Sequence, residues 1–208
     1  MLLAGCHRGQ SAAEGPQQVE EPTRPLAQLA SQRVILTPAH SLLAGDPLGW
    51  AAEIPKPRDY LKVLDGELAA VLAERGLKTQ WTYPADLVRS MKVNPTYAVD
   101  PYSLGVNVLR NPNVKSGTKL GDPIATQLRT MVAIQEGARA VLVPVELRFE
   151  KDTSATGKGV AALRVALLDG RLGDVRWIGT VRSDPSSTLS RAVLSSLAVH
   201  FADLITSP

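Results

Sequence analysis

One cysteine, Cys6, is all that this chain of 208 residues contains. That scarcity excludes an internal disulfide and any zinc site built on several cysteines. Aromatic residues are 4% of the chain, so its core has to be mostly aliphatic. No apolar run approaches the ~20 residues of a membrane-spanning helix. Charge of one sign is also missing: 23 basic and 20 acidic residues are interspersed and leave a formal +3. Nothing concentrates that small excess, so the sequence carries no electrostatic footprint for nucleic acid. It also has no HExxH pair, EF-hand loop or dinucleotide fingerprint, and no cofactor or metal is expected.

What is there begins at the amino terminus, with Leu2-Leu3-Ala4-Gly5-Cys6. An aliphatic residue, two small residues and a cysteine resemble the lipobox of bacterial lipoproteins. The resemblance implies that Cys6 is lipidated, with several acyl chains of the palmitate kind, and is the first residue of the mature protein. A complete signal places a basic region and roughly 7–15 apolar residues before its cleavage site. Here Met1 and Leu2 precede the box, so the reading expects an upstream start or a trimmed chain. Residues 1–6 are therefore read as a signal remnant with its lipobox. Residues 7–30 are rich in Gly, Pro, Gln and Glu, with Val19, Leu26 and Leu29 as the bulky apolar exceptions. Such a segment buries too little surface to offset its chain entropy and is read as a disordered tether. Residues 31–208 are read as a single globular domain, long enough for one packed core.

Within that domain, residues 33–38 form an apolar run ended by Pro38, which suits a buried first strand. A loop with Gly45, Asp46, Pro47, Gly49 and Pro55 follows. Residues 59–75 carry Leu61, Leu64, Leu68, Val71 and Leu72 at helical spacing, with Gly76 as the expected C-terminal cap. Residues 77–83 alternate as a second strand and 85–92 suit a short helix. The stretch 94–121 is irregular, with a brief strand expected over 104–109. Asp122-Pro123 reads as N-cap and first residue of a helix whose inward side is Ile124, Leu128, Met131 and Val132, ended by Gly137.

From residue 140 the period changes to two. Val141, Val143, Val145, Leu147 and Phe149 are expected on one side of a strand, with Glu146 and Arg148 on a solvated other side. Pro144 inside this run marks an edge position or a bulge. Strands over 160–168 and 174–182, joined at Asp169-Gly170, complete a three-strand antiparallel meander. Asp184-Pro185 is expected to open a last helix with Leu189, Val193, Leu197, Phe201 and Leu204 inward. The order predicts an α+β or α/β single domain: a mixed sheet ending in the meander, with three main helices packed on it.

No catalytic constellation emerges. His40, Ser41 and Asp46 are close in sequence, but Ser41 lacks the Gly-x-Ser-x-Gly elbow that exposes a nucleophile. Gly157-Lys158-Gly159 is not a phosphate loop, because position 152 is Asp, position 159 is Gly and a strand follows. His200 lies beside the apolar stripe of the last helix and suits a core or boundary role, as Trp81 and Trp177 suit core packing. Trp50, in a Pro/Gly loop, and Tyr97 and Tyr102, in the irregular stretch, are the candidate partner-binding aromatics.

Over residues 33–205 the order of elements, read with Leu3-Ala4-Gly5-Cys6, resembles a group of bacterial envelope lipoproteins. This group includes the penicillin-binding-protein activator lipoproteins and the curli-secretion lipoproteins, whose periplasmic domains are similar to the amino-terminal domain of the Tol-system translocation protein. The curli pore needs long amphipathic spanning hairpins, and the Pro- and Gly-rich 94–121 stretch departs from that pattern. The resemblance implies a lipid-anchored, non-enzymatic protein at the periplasmic face of the outer membrane, binding an envelope protein or assembling with itself. The alternative reading is a small-molecule or glycan-binding periplasmic domain, or a hydrolase using the loop from His40 to Trp50.

Overall fold

The computed structural model describes residues 24–75, 79–135, 137–154 and 157–206. Cys6 and most of the expected tether lie outside the described residues, as does Gly76. Five strands make one mixed sheet: β1 (Arg33–Leu36), β2 (Gln80–Thr82), β3 (Ala140–Lys151), β4 (Gly159–Asp169) and β5 (Asp174–Arg182), in the order β2-β1-β3-β4-β5. β1 runs parallel to both neighbours, and β3, β4 and β5 form the expected antiparallel meander. Four helices cover the sheet: α1 (Pro57–Glu74), α2 (Pro84–Val93), α3 (Ile124–Ile134) and α4 (Arg191–Asp203). The α+β mixed-sheet architecture expected from the sequence is the one observed.

Each sheet face has its own apolar layer. Leu61, Leu64, Leu68 and Leu72 of α1 and Val193, Leu197 and Phe201 of α4 pack on one face, with Val34 and Leu36 of β1. Leu87 of α2 and Ile124, Leu128, Met131 and Val132 of α3 pack on the other, with Ile35. The helical stripes of α1, α3 and α4 therefore point where their 3.6-residue spacing sends them.

β3 departs from strict alternation. Pro144 pairs with Val165 and Glu146 with Arg164, consecutive residues on β4, so Val145 is an extra residue in the ladder. This bulge exchanges the two faces of the strand. Val141, Val143 and Val145 lie on the α3 side, whereas Leu147 and Phe149 lie on the α1/α4 side. The expectation that all five share one side is thereby corrected, and Pro144 marks a bulge in an interior strand, with β1 and β4 on its flanks. Two prolines interrupt the parallel ladder here. Thr37 N–H donates to the Leu142 carbonyl, and the next such bond is His40 N–H to the Pro144 carbonyl. Neither Pro38 nor Pro144 has an N–H to donate. The chain continues beside β3, with Leu147 N–H donating to Ser41 and Leu43 N–H to Leu147.

Four further boundaries move for identifiable reasons. Leu26 and Leu29, read as tether, are 0% and 1% exposed, and Leu26 N–H donates to the Leu204 carbonyl. The stretch expected as a strand over 104–109 instead holds a 3-10 turn, Val106–Arg110, with a second just before it at Pro101–Ser103; its buried Val106 and Leu109 are three residues apart. α3 starts one residue late, at Ile124, while Asp122 Oδ1 still accepts the Thr126 N–H and hydroxyl. α4 starts at Arg191, since Ser186 is held in a two-bond bridge with Gly159 and cannot enter the helix. Glu146 and Arg148 are ion-paired rather than merely solvated: Arg110 lies 3.1 Å from Glu146, and Arg148 pairs with Glu150.

The face exchange places Phe149 against Trp50, edge to face at 5.5 Å between ring centres. Truncating Phe149 to Ala should cost about 3–5 kcal/mol in chemical denaturation. A Trp50→Leu/Phe149→Leu double-mutant cycle should show a coupling of about 0.5–1.5 kcal/mol. Strict additivity would place the two rings on opposite faces.

Candidate functional site

The interruption of the β1–β3 ladder leaves Ala39 N–H turned from the sheet toward α1. Its acceptor is Asp65 Oδ1, 2.7 Å away and carried on the inner side of α1. Asp65 is 8% exposed among leucines, in a position where an ionised carboxylate is costly. Burial raises its pKa to about 7, against the lesser opposing effect of the Ala39 N–H. His40, the next residue along, has its pKa lowered to about 4, first by burial and then by the charge of Arg110. It is a neutral imidazole near pH 7, with Nε2 3.3 Å from the Thr37 hydroxyl.

Beside these two groups lies a cleft of about 420 Å³. Ala39 and His40 form one wall, and Arg58, Leu61 and Lys62 of α1 form the second. The turn Pro101–Ser103 supplies the third, with Asp100 and Tyr102. Asp100 shapes that turn, accepting the Tyr102 N–H at 3.0 Å and the Ser103 hydroxyl at 2.8 Å. The Tyr102 phenol is raised in pKa by burial and then by the charges of Asp65 and Asp100, which places its ring within electrostatic reach of both. Shifted titratable groups on and behind the wall of a cleft make it the candidate site of this fold.

The expected site residues separate. Trp50 is 5% exposed and packs on Phe149, so its indole belongs to the core and offers no contact surface. Tyr97 is 76% exposed and Tyr102 48%. Cys6 lies outside the described residues. Ser41, His40 and Asp46 do not converge: the Ser41 hydroxyl donates to the Val145 carbonyl, and Asp46 accepts the N–H groups of Leu48, Trp50 and Ala51 in its own loop. The loop from His40 to Trp50 therefore shows no nucleophile–base pair. His200 is at the boundary, with Nδ1 2.7 Å from the Arg182 carbonyl. Among the described residues, no group of three or more His, Cys, Asp or Glu could hold a metal ion.

Sequence reasoning missed Asp65. The signal was present, an acid at the position between Leu64 and Leu68 on an apolar helix face, but helical spacing alone does not distinguish a boundary acid from a buried one.

No protein-family model matches the chain, and no curated protein sequence matches it. Among solved structures it is similar to PelC from Paraburkholderia phytofirmans, a dodecamer, at 15% identity over 88% of this chain and 93% of that one, with a TM-score of 0.41. It is also similar to the C-terminal domain of LpoB from Salmonella enterica, at 14% identity over 79% of this chain and 87% of that one, with a TM-score of 0.36. A third is lipoprotein GNA1162 from Neisseria meningitidis, at 17% identity over 83% and 96% of the two chains and a TM-score of 0.35.

The pKa of Asp65 has a direct consequence for stability. The folded state keeps this proton to about pH 7, whereas the unfolded chain releases it near 3.8. The stabilisation is full below the lower value and is lost as pH rises through the higher one. His40 acts in the opposite sense: its contribution is present above 6.5 and is lost as pH falls toward about 4. Asp65→Asn should leave stability near wild type at acid pH and raise it at pH 8 by on the order of 2–4 kcal/mol. Urea melts from pH 4.5 to 8 check this; a difference independent of pH would remove the buried-acid assignment.

Proposed function

We propose that this chain is a lipid-anchored cell-envelope protein whose domain is a non-catalytic protein-interaction or assembly module. Leu3-Ala4-Gly5-Cys6 supports the anchor, with Cys6 as the residue that carries the acyl chains. The observation that carries the interaction role is the distribution of exposed apolar side chains. Of the eight large ones among the described residues, four lie in the sixteen residues 93–108: Val93 at 73%, Tyr97 at 76%, Tyr102 at 48% and Val108 at 42%. Scattered single apolar residues are ordinary on a surface, but this concentration is not.

The same stretch is pinned from beneath, which makes it a shaped surface. Leu104, Val106 and Leu109 are buried in the α3-side layer. Arg164 donates to the carbonyls of Leu109 and Asn111 from β4. Just before this pinned segment, Tyr97 N–H donates to the Asn94 carbonyl and Tyr102 N–H to Asp100, so both exposed tyrosines sit on locally held backbone and can anchor a partner at low entropic cost. The partner is an envelope protein or a second copy of this chain, at the periplasmic face of the outer membrane.

A photo-crosslinking residue at position 97, in cells producing the chain with its native upstream sequence, should give discrete adducts that are absent from position 63 on α1. Tyr97→Ser should reduce recovery of the same partner at least fivefold with unchanged thermal stability. Identical adduct patterns at 97 and 63 would end the interaction reading. Mass spectrometry of the membrane fraction should find the Cys6 peptide acylated, and an unmodified Cys6 behind an intact signal would end the anchoring reading.

A further inference from the structure

The cleft between α1, the exit of β1 and the Pro101–Ser103 turn carries charges of both signs on an apolar floor. On the α1 side, Arg58 has no carboxylate partner among the described residues. Lys62 is held only by exposed Asp59, at 3.6 Å. Across the opening stand Asp100 and the Tyr102 ring, with Asp65 behind Ala39. Leu61 supplies the apolar surface between them.

This arrangement selects by exclusion as well as by attraction. A simple cation entering the cleft meets Arg58 and Lys62, and a simple anion meets Asp100 and Asp65. A ligand with an ammonium at one end and a carboxylate at the other satisfies both walls. Its ammonium would lie between Asp100 and Tyr102, on the side toward Asp65, where carboxylate and ring quadrupole both favour a cation. Its carboxylate would face Arg58, whose fork of donors matches that group. A volume of about 420 Å³ accommodates a molecule of dipeptide size.

We propose that this cleft is a binding site for a small zwitterion of the amino-acid or dipeptide class, adjoining the partner surface and sharing Tyr102 with it but not Tyr97. Asp65 lies behind the Ala39 wall rather than on it, but its charge reaches Tyr102, so an arriving ammonium is felt by its carboxyl through that layer. Binding near neutral pH should then displace the proton that the buried carboxyl retains. His40 is neutral at that pH, and Arg110, whose charge reaches His40 and which is ion-paired to Glu146, is the further cation on this side.

The test is titration of the purified chain with L-alanyl-L-alanine, its N-acetyl derivative and its C-terminal amide, followed by amide chemical shifts and calorimetry at pH 6.5 in two buffers of different ionisation enthalpy. Saturable shifts at Ala39, His40 and Tyr102, with at least tenfold weaker binding of both blocked derivatives and net proton release on binding, are the expected result. Asp65→Asn should abolish the preference for the free amine and the proton release. Arg58→Ala should abolish the preference for the free carboxylate while retaining the fold, since Arg58 is exposed. Tyr97→Ser should change none of these, which separates this site from the partner surface. Absence of saturable shifts, or equal binding of all three peptides, would overturn the proposal.

Discussion

A bulged residue in an interior strand is the constraint on which the rest of this structure depends. Val145 is inserted into β3 where it faces β4, and every side chain beyond it points to the face opposite the one that alternation assigns. Before the bulge, β3 is apolar on both sides, with Ala140 and Leu142 under α1 and α4 and Val141 and Val143 under α3. After it, one side carries Leu147 and Phe149 into the core, and the other carries Glu146, Arg148 and Glu150 into ion pairs. The sheet is thus covered on both faces at one end, while at the other end one face carries charge.

The same interruption creates the cleft. A regular parallel strand would pair every second residue of the 37–43 segment with β3, so that Ala39 N–H would follow Thr37 N–H, but the Pro144 carbonyl is taken by His40 N–H instead. Ala39 N–H then needs another acceptor, and the inner face of α1 supplies a carboxylate. A buried acid with a single strong donor pays for its burial by holding its proton. The contrast with Asp169 is instructive. Asp169 is 4% exposed, yet it accepts from Arg139, Arg176 and the N–H groups of Arg171 and Leu172. Burial works to raise its pKa, and those donors outweigh it and bring it to about 2. Asp169 has four donors against its burial, two from arginine side chains and two from the turn after β4, where Asp65 has the Ala39 N–H.

Much of the architecture was legible from residue spacing. The stripes of α1, α3 and α4, the meander and the buried first strand all follow from local sequence pattern, whereas the parallel pairing of that strand does not. Pro144 was legible as an irregularity, although not as an exchange of faces, since odd-numbered residues are apolar on both sides of the bulge. Leu26 and Leu29 were hidden by a polar, Pro-rich neighbourhood; what makes them core residues is the end of α4, almost the whole chain away. Trp50 was misplaced for a similar reason, because its loop composition says nothing about Phe149. Of the cleft, His40 and Tyr102 were visible as residues worth watching, and Asp65 was not.

The sequence by itself determined the types of the four helices and of the five sheet strands, the apolar sides of the long helices, the scarcity of cysteine and the lipobox-like Leu3-Ala4-Gly5-Cys6. These are properties of neighbours within a few positions, which periodicity and composition report. Tertiary structure alone decided which side of β3 faces which helices, that Trp50 is core while Tyr97 is surface, and that Asp65 meets Ala39. Each of those depends on contacts between segments far apart in the chain. Burial, and with it the free energy of a charge, is a property of the assembled layers and not of any one stretch.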